Sequence, residues 1–244
     1  MERIGVLSKL CRYPVKSMAA EELDSVRVTF AGLVGDRVWA FMDNDNKSNF
    51  PWLTARQGHE LILFRPRFLD GPLPTDGPTD PTDYATEVTT PDGETFRVDD
   101  SRLTKCLEKR FGRSLRPCFS NRSIADSQPA SFFGMATLRA LSKDAGKNLD
   151  PRTFRSNFYV DFDNSQPGYE NSLIGQKLQL GKTAVVEAVK KNTRCVIITL
   201  NPEDGSAIPK VLETVTRRYN GCVGIYGAVL QEGIVHVNDP IYLI

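Results

Sequence analysis

GQKLQLGKTAVVEAVKKNTRCVIITLNP, residues 175–202, is the stretch from which the rest of the chain is read. Two apolar runs, Gly175 to Leu180 and Thr183 to Val189, meet at Gly181-Lys182, and this pattern predicts two strands joined by a tight turn. Lys190 to Pro202 then places a single cysteine, Cys195, behind Asn192, Thr193 and Arg194. In front of it lies a short apolar run that the Asn201-Pro202 turn signal closes. A thiolate is the reactive and metal-binding form of cysteine, and the positive charge of Arg194, Lys190 and Lys191 favours it. The plain alternative is a half-buried strand cysteine, because free cysteines behave as small hydrophobes.

Towards the C-terminus the pattern gives a helix at about 209–219 and strands near 222–230, 233–237 and 241–244, with a turn at Asn238-Asp239-Pro240. Towards the N-terminus, residues 3–13 read as a strand closed by Pro14, 22–30 as a second and 38–42 as a third, with Gly32 and Gly35 permitting the turn between the last two. Glu60 to Phe64 reads as a further apolar strand, and 66–82, dense in Pro, Gly, Asp and Thr, as an exposed loop. Strands near 84–90 and 95–98 flank the turn Pro91-Asp92-Gly93-Glu94. Asp99 or Asp100 can cap a helix at 101–111, which Gly112 stops. A strand at about 114–119 leads into the polar segment 120–130, which reads as an inter-domain crossover. A helix at 134–145 and an aromatic strand, Phe158 to Phe162, follow. Many short strands and only three modest helices predict β-barrels with helices packed outside, an α+β, β-rich fold.

The 244 residues suffice for one large or two small domains. With 40% hydrophobic and 25% charged residues and a net charge of +1, nothing in the totals argues for a nucleic-acid or anionic-membrane partner. No segment approaches the roughly 18 uncharged apolar residues of a membrane span, and the start lacks a signal-peptide core, so the chain reads as soluble and cytoplasmic. The five cysteines, at 11, 106, 118, 195 and 222, are odd in number and widely spaced. They match no zinc, iron-sulfur or disulfide framework, and two histidines are too few for most histidine metal sites. A metal bound here would arrive with ligands of its own.

Several loops repeat one theme, a cation beside hydroxyl or amide donors at a strand end: Lys16-Ser17, Arg37, Asp126-Ser127-Gln128 and Arg155-Ser156-Asn157. Arginine offers a planar fork suited to phosphate, and lysine a point charge. Taken singly each is an ordinary solvated loop charge; converging on one pocket, they would bind an anionic cofactor with Cys195 as a soft ligand to its metal.

YPVKS (13–17), GLVGDRVW (32–39), LTARQ (53–57), FRSN (154–157), TRCVIITLNPEDG (193–205) and VNDPIYLI (237–244) follow in this order along nearly the whole chain. In that ordered set the sequence resembles the MOSC proteins, and within them the branch of the mitochondrial amidoxime reducing component and its bacterial relatives. The resemblance implies an N-terminal MOSC β-barrel domain, set at 1–122, and a MOSC domain, set at 123–244, with a molybdopterin-type molybdenum cofactor between them. Carried over by position, Cys195 would be the protein thiolate on molybdenum, a soft ligation consistent with its chemistry. Lys16, Ser17, Arg37, Arg155 and Asn157 fall on cofactor-binding positions, Thr193 and Arg194 flank the metal ligand, and Ser127 would be a phosphate donor. Asp126 matches an acidic residue near the metal and is a candidate proton relay, with a turn-capping aspartate as the alternative.

Three departures from the family pattern stand out: Ser156 in place of a proline, Gln128 in place of a hydroxyl residue, and Asn201 in place of an acidic turn residue. The activity the resemblance implies is reduction of N-hydroxylated compounds, such as amidoximes, hydroxylamines and N-hydroxy nucleobases, with S-oxides as conceivable further acceptors. A separate donor (a ferredoxin, a cytochrome b5-like protein or a flavoprotein reductase) would supply the electrons to a monomer. Two other readings remain open: a sulfur carrier or sulfurtransferase with a Cys195 persulfide, and a non-catalytic molybdenum cofactor-binding protein.

Overall fold

A computed structural model describes residues 1–69 and 84–244. Its largest sheet closes on itself. The ring runs Phe158–Phe162, Ala130–Gly134, Cys222–Gln231, Ala184–Thr193, Lys177–Leu180, Pro240–Leu243 and Glu2–Arg12, and returns to Phe158–Phe162. The closing strand is the first of the chain: Val6 pairs with Pro240 on one edge and with Asp161 on the other. Closure removes the exposed edges that an open sheet would present. All neighbours are antiparallel except Ala130–Gly134 with Phe158–Phe162, a parallel pair. Such a pair needs a crossover, and the helix Met135–Ala145 lies within it. Leu7, Leu10, Phe132, Phe158, Val160, Leu178, Val186 and Ile225 point inward and are fully buried.

The rest of the N-terminal half builds three smaller sheets. Trp39–Asp43 pairs with Leu115–Phe119; Arg65–Phe68, Thr86–Thr89 and Thr95–Arg97 form a meander; Ser25–Thr29 pairs with Gly32–Leu33 and, across the chain, with Gly233–His236. The first two share a core that includes Val15, Met18, Phe64, Val88, Leu103 and Leu107, whereas the third packs Val26, Val28 and Val235 into the core of the barrel. A third cluster, with Tyr13, Phe133, Phe154, Val211 and Val215, joins the barrel to the helices Met135–Ala145 and Pro209–Tyr219. Two N-terminal strands, Glu2–Arg12 and Ser25–Thr29, pair with strands from beyond residue 130.

The helix expected at 101–111 is present as Ser101–Phe111. Asp100 accepts a bond from Arg102 N and Gly112 turns left-handed with φ 62°. The other two helices also fall where the spacing put them, Met135–Ala145 and Pro209–Tyr219.

Four local readings change. Glu60 to Phe64 is not a strand: His59–Leu63 is a 3-10 turn after Gly58. Its Leu61 and Ile62 are buried in different clusters, and a short apolar run reads alike as a strand or a helical turn. The run after Cys195 is likewise a 3-10 turn, Val196–Thr199, so Cys195 sits in a loop and not on a strand. The strand expected at 22–30 is split into Glu21–Leu23 and Ser25–Thr29, which belong to different sheets. Arg65–Phe68 is a strand although it overlaps the expected loop at 66–82; residues 70–82 of that loop lie outside the described residues.

Candidate functional site

Backbone hydrogen bonds draw three distant loops to one place. Lys16 N donates to Trp39 O at 2.8 Å and Arg37 N to Tyr13 O at 2.7 Å. The crossover is tied in by Ile124 N donating to Arg37 O at 2.7 Å. Tyr13 N donates to Asp36 Oδ1 at 2.8 Å, which also fixes the Asp36 carboxylate beneath Arg37. Ser17, Arg37 and Arg155 all have left-handed backbones, with φ of 66°, 53° and 51°. For residues with a Cβ this conformation costs on the order of 1 kcal/mol each, and such strain concentrates at ligand sites.

The cleft that results is lined by Lys16, Ser17, Arg37, Asp126, Arg155, Asn157, Thr193, Arg194 and Cys195. Nine of the ten residues singled out in the sequence thus share one wall-to-wall space. Ser127 does not: it lines a neighbouring hollow with Phe30, Arg122 and Pro129, and Gln128 takes the place in the cleft.

Positive charge dominates the interior. The Arg37 and Arg155 guanidinium carbons lie 4.6 and 4.4 Å from the Tyr13 ring centroid, a cation-π arrangement shared by two cations. Arg37 is ion-paired to Asp36 and donates from Nη2 to Arg155 O at 3.0 Å. Burial pulls the Arg155 pKa down, helped by the nearby Arg37 charge, while Tyr13 opposes both. Arg155 Nη2 is buried and has no hydrogen-bond partner. A buried unpaired donor costs roughly 1–3 kcal/mol, so an acceptor in the cleft would be strongly favoured here.

Lys16 is almost completely buried, at 4% exposure, and donates to Ile124 O at 2.7 Å and to Asp126 Oδ1. The other carboxylate oxygen, Asp126 Oδ2, accepts from Arg56 Nη2 at 2.9 Å. Burial alone would raise the Asp126 pKa, but Lys16 and Arg56 outweigh it and hold the carboxyl below the usual range. A carboxylate pinned by two cations is a poor proton donor at neutral pH, which argues against the relay role and for a charge-organising one.

Arg56 also faces Cys195. Burial lowers its pKa, but the Cys195 thiol and the Asp126 carboxylate together raise it. Its loop reaches that position because Ala55, fully buried, packs with Ile62 and Leu200 beside the Cys195 segment. Among the cations expected to act on the thiol, Lys190 and Lys191 are exposed. Arg194 turns inward, donating from Nε to Val223 O at 2.7 Å and from Nη1 to Phe154 O at 2.6 Å. In the amide orientation that satisfies both of its ends, Asn192 accepts from Arg194 at 3.3 Å and donates to the Tyr226 hydroxyl at 3.2 Å. Gly224 leaves the room this needs: a Cβ there would lie 2.8 Å from Arg194 Nη2 and 2.6 Å from Phe132 O, and its φ is +74°.

Asn157 is more builder than ligand. Its Oδ1 accepts from Ser131 Oγ at 2.8 Å and its Nδ2 donates to Cys11 O at 3.3 Å, which fixes the FRSN loop to the first strand. Thr193 Oγ1 lies 3.5 Å from Cys222 Sγ. Cys11 itself is fully buried, and burial pushes its thiol up to about 12, so it is a core cysteine. Three polar cleft residues were not singled out in the sequence, namely Arg56, Ser131 and Tyr226. Arg56 carried a signal in the LTARQ motif; the others became visible only through strand pairing.

The profile of the MOSC domain matches residues 120–242 and that of the MOSC N-terminal beta barrel domain residues 4–108. The chain belongs to the MOSC family. Curated relatives of this MOSC chain include a molybdenum cofactor sulfurase of Drosophila grimshawi, 26% identical over 90% of this chain and 31% of that protein. The chain spans about a third of that sulfurase's length. Mitochondrial amidoxime reducing component 2 of Bos taurus is 22% identical over 99% of this chain and 84% of its own length; component 1 of Mus musculus is 20% identical over 100% and 84%. The crystal structure of the YUAD protein from Bacillus subtilis shares the fold, with a TM-score of 0.50 at 14% identity over 98% of this chain and 94% of that one.

The MOSC family is tied to the molybdenum cofactor, and the residues of this cleft fit such a group. It offers an unpaired buried donor on Arg155, a concentration of cations around an anion-sized space, and one thiol. Among the described residues no cluster of three or more His, Cys, Asp or Glu could hold a metal ion unaided, so Cys195 could add a ligand only to a metal that brings others. Also among the described residues, no helix is long and apolar enough to cross a membrane.

Proposed function

We propose that this MOSC chain is a molybdenum cofactor-dependent reductase of N-hydroxylated compounds, amidoximes and hydroxylamines among them. The observation that carries this reading is the meeting of the Cys195 thiol with the Arg37, Arg155 and Lys16 cations in one cleft, where Arg155 Nη2 waits without a partner. The amidoxime reducing components, which align with nearly all of this chain, support the choice of reaction. When bound, the cofactor would supply two-electron removal of oxygen at a metal that Cys195 ligates.

The chain's own groups do the binding and the ordering. Arg155 and Arg37, spaced by the Tyr13 ring, would hold the anionic part of the cofactor; Ser17 and Lys16 lie on the same wall. Arg194 braces the Cys195 loop from below by its bonds to Val223 O and Phe154 O, which aims the thiol into the cleft. Overall, one N–O bond is broken, two electrons and two protons are consumed, and the amine or amidine and water leave. Electrons would come from a separate protein of the ferredoxin, cytochrome b5-like or flavoprotein type, docking transiently.

The test is molybdenum and pterin content of protein from a host that makes the cofactor, followed by benzamidoxime-dependent oxidation of a reduced dye. Near-stoichiometric metal and pterin with turnover, lost in Cys195→Ala while pterin stays bound, is the expected result. A metal-free protein that carries sulfane sulfur on Cys195 would refute the reading in favour of sulfur transfer.

A further inference from the structure

We infer that Arg56 is a catalytic residue of this site, the group that donates a hydrogen bond to the oxygen of the N-hydroxy substrate, and that Asp126 serves to hold it there. The inference rests on the reductase reading above and adds a residue and a division of labour to it.

Four observations converge. Asp126 has both oxygens engaged by cations, Lys16 on Oδ1 and Arg56 on Oδ2, so the carboxylate ties the two cations together. Arg56 spends Nη2 on Asp126 and has guanidinium donors beyond that one, on a side chain that is still 40% exposed. It lines the same cleft as Cys195 and faces that thiol, so whatever reacts at a metal on Cys195 reacts within reach of Arg56. Of the other cations of the cleft, Lys16 is committed to Ile124 O and Asp126, Arg37 to Asp36 and Arg155 O, and Arg194 to Val223 O and Phe154 O, while Arg155, with its unpaired Nη2, is the donor assigned above to the anionic part of the cofactor.

The Phe50 ring completes the arrangement. It lies 5.2 Å from Lys16 Nζ and 5.3 Å from the Arg56 guanidinium carbon, and so packs both cations from one side. Arg56 is thereby held by an ion pair to Asp126 and by the aromatic ring beside it. A donor fixed before the substrate arrives stabilises charge that builds on the departing oxygen without reorganising, which is where such donors are most effective. Lysine could keep the charge but not the fork that pairs Asp126 and substrate together.

The experiment compares wild type with Arg56→Gln, Arg56→Lys and Arg56→Ala as cofactor-loaded proteins. Pterin and molybdenum content, benzamidoxime binding to the oxidised protein by calorimetry, and dye-linked kcat and KM are measured on each. Expected are unchanged cofactor content, weaker benzamidoxime binding, and a kcat lowered by about 100- to 1,000-fold in Arg56→Gln. Partial recovery of the Arg56→Ala rate by added guanidinium, and a smaller loss in Arg56→Lys, are expected as well. A kcat in Arg56→Gln within about threefold of wild type overturns the inference, and so does a loss of activity that merely follows a loss of cofactor. A loaded wild type that oxidises no dye overturns the reductase reading, and the assignment of Arg56 with it, so the two failures are told apart by the parent protein.

Discussion

Replacing Asp126 by Asn probes the charge organisation of the cleft without changing its shape. Lys16 would keep its bond to Ile124 O but face a neutral amide in place of a carboxylate, while buried to 4% exposure. Removing one partner of a fully buried ion pair costs about 3–5 kcal/mol. The Asp126 side chain is 40% exposed, so solvent screens part of the pair, and the Arg56 arm is a surface pair worth about 0–1 kcal/mol. With the bond to Ile124 O retained, the net destabilisation should be about 1–2 kcal/mol, read from the urea midpoints of the two cofactor-free proteins at pH 7. The pH dependence has a fixed sign. Asp126 is held below the usual carboxylate range in the folded protein, so its contribution is present above the unfolded-state value of about 4 and fades as pH falls through the depressed folded value. The gap between wild type and variant should therefore be constant from pH 8 to pH 6 and shrink in acid below pH 4. Equal midpoints at pH 7, or a gap that widens as the pH falls, would refute the assignment of Asp126 as the counter-ion of Lys16.

Arg155→Ala should lower pterin occupancy of the purified protein at least several-fold, and unchanged occupancy would remove Arg155 from the anion-binding wall. Gly224→Ala should destabilise the fold by about 2–4 kcal/mol, since its φ of +74° disfavours a side chain and the new methyl meets Phe132 O at 2.6 Å; thermal melts report it. Leu7→Ala, at the fully buried centre of the barrel wall, should cost about 2–5 kcal/mol by chemical denaturation. In native cofactor-free protein, iodoacetamide at pH 8 should label Cys195 and spare Cys11, whose thiol burial pushes up to about 12; peptide mass spectrometry separates the two.

Much of the architecture was legible in the chain because the signals were local. The three helices fell within a residue of their expected spans, each written by apolar spacing together with a stop residue such as Gly112 or the Asn220 that ends Pro209–Tyr219 in a left-handed turn. Of the barrel strands, Ala184–Thr193 and Cys222–Gln231 carried valine-rich runs, whereas Ala130–Gly134, a short run between the crossover and a helix, was not read as a strand. Glu60 to Phe64 misled because a four-residue apolar run has no period of its own, so a strand and the 3-10 turn His59–Leu63 read alike. The Val196–Thr199 turn is the same case beside the thiol.

For the cleft, the residue types and the loops that bear them were readable: Lys16, Ser17, Arg37, Arg155 and Cys195 stand in recognisable motifs, and they do converge. Their division of labour was not. The lysines next to Cys195 in sequence are exposed, and the cation that faces its thiol comes from Arg56, far away along the chain. Ser127 and Gln128 are neighbours, yet only Gln128 lines the cleft.

The sequence by itself determined that this is a β-rich chain with three helices, a thiol poised among loop cations, and motifs ordered as in MOSC proteins. Those features are written in spacing, turn residues and residue type, which act over a few positions. Only the tertiary structure decided that the first strand closes the barrel made by the last ones, and that Lys16 and Arg56 share the Asp126 carboxylate. Backbone pairing across more than a hundred residues and charge pairing through space depend on where distant segments pack, and no local pattern encodes that.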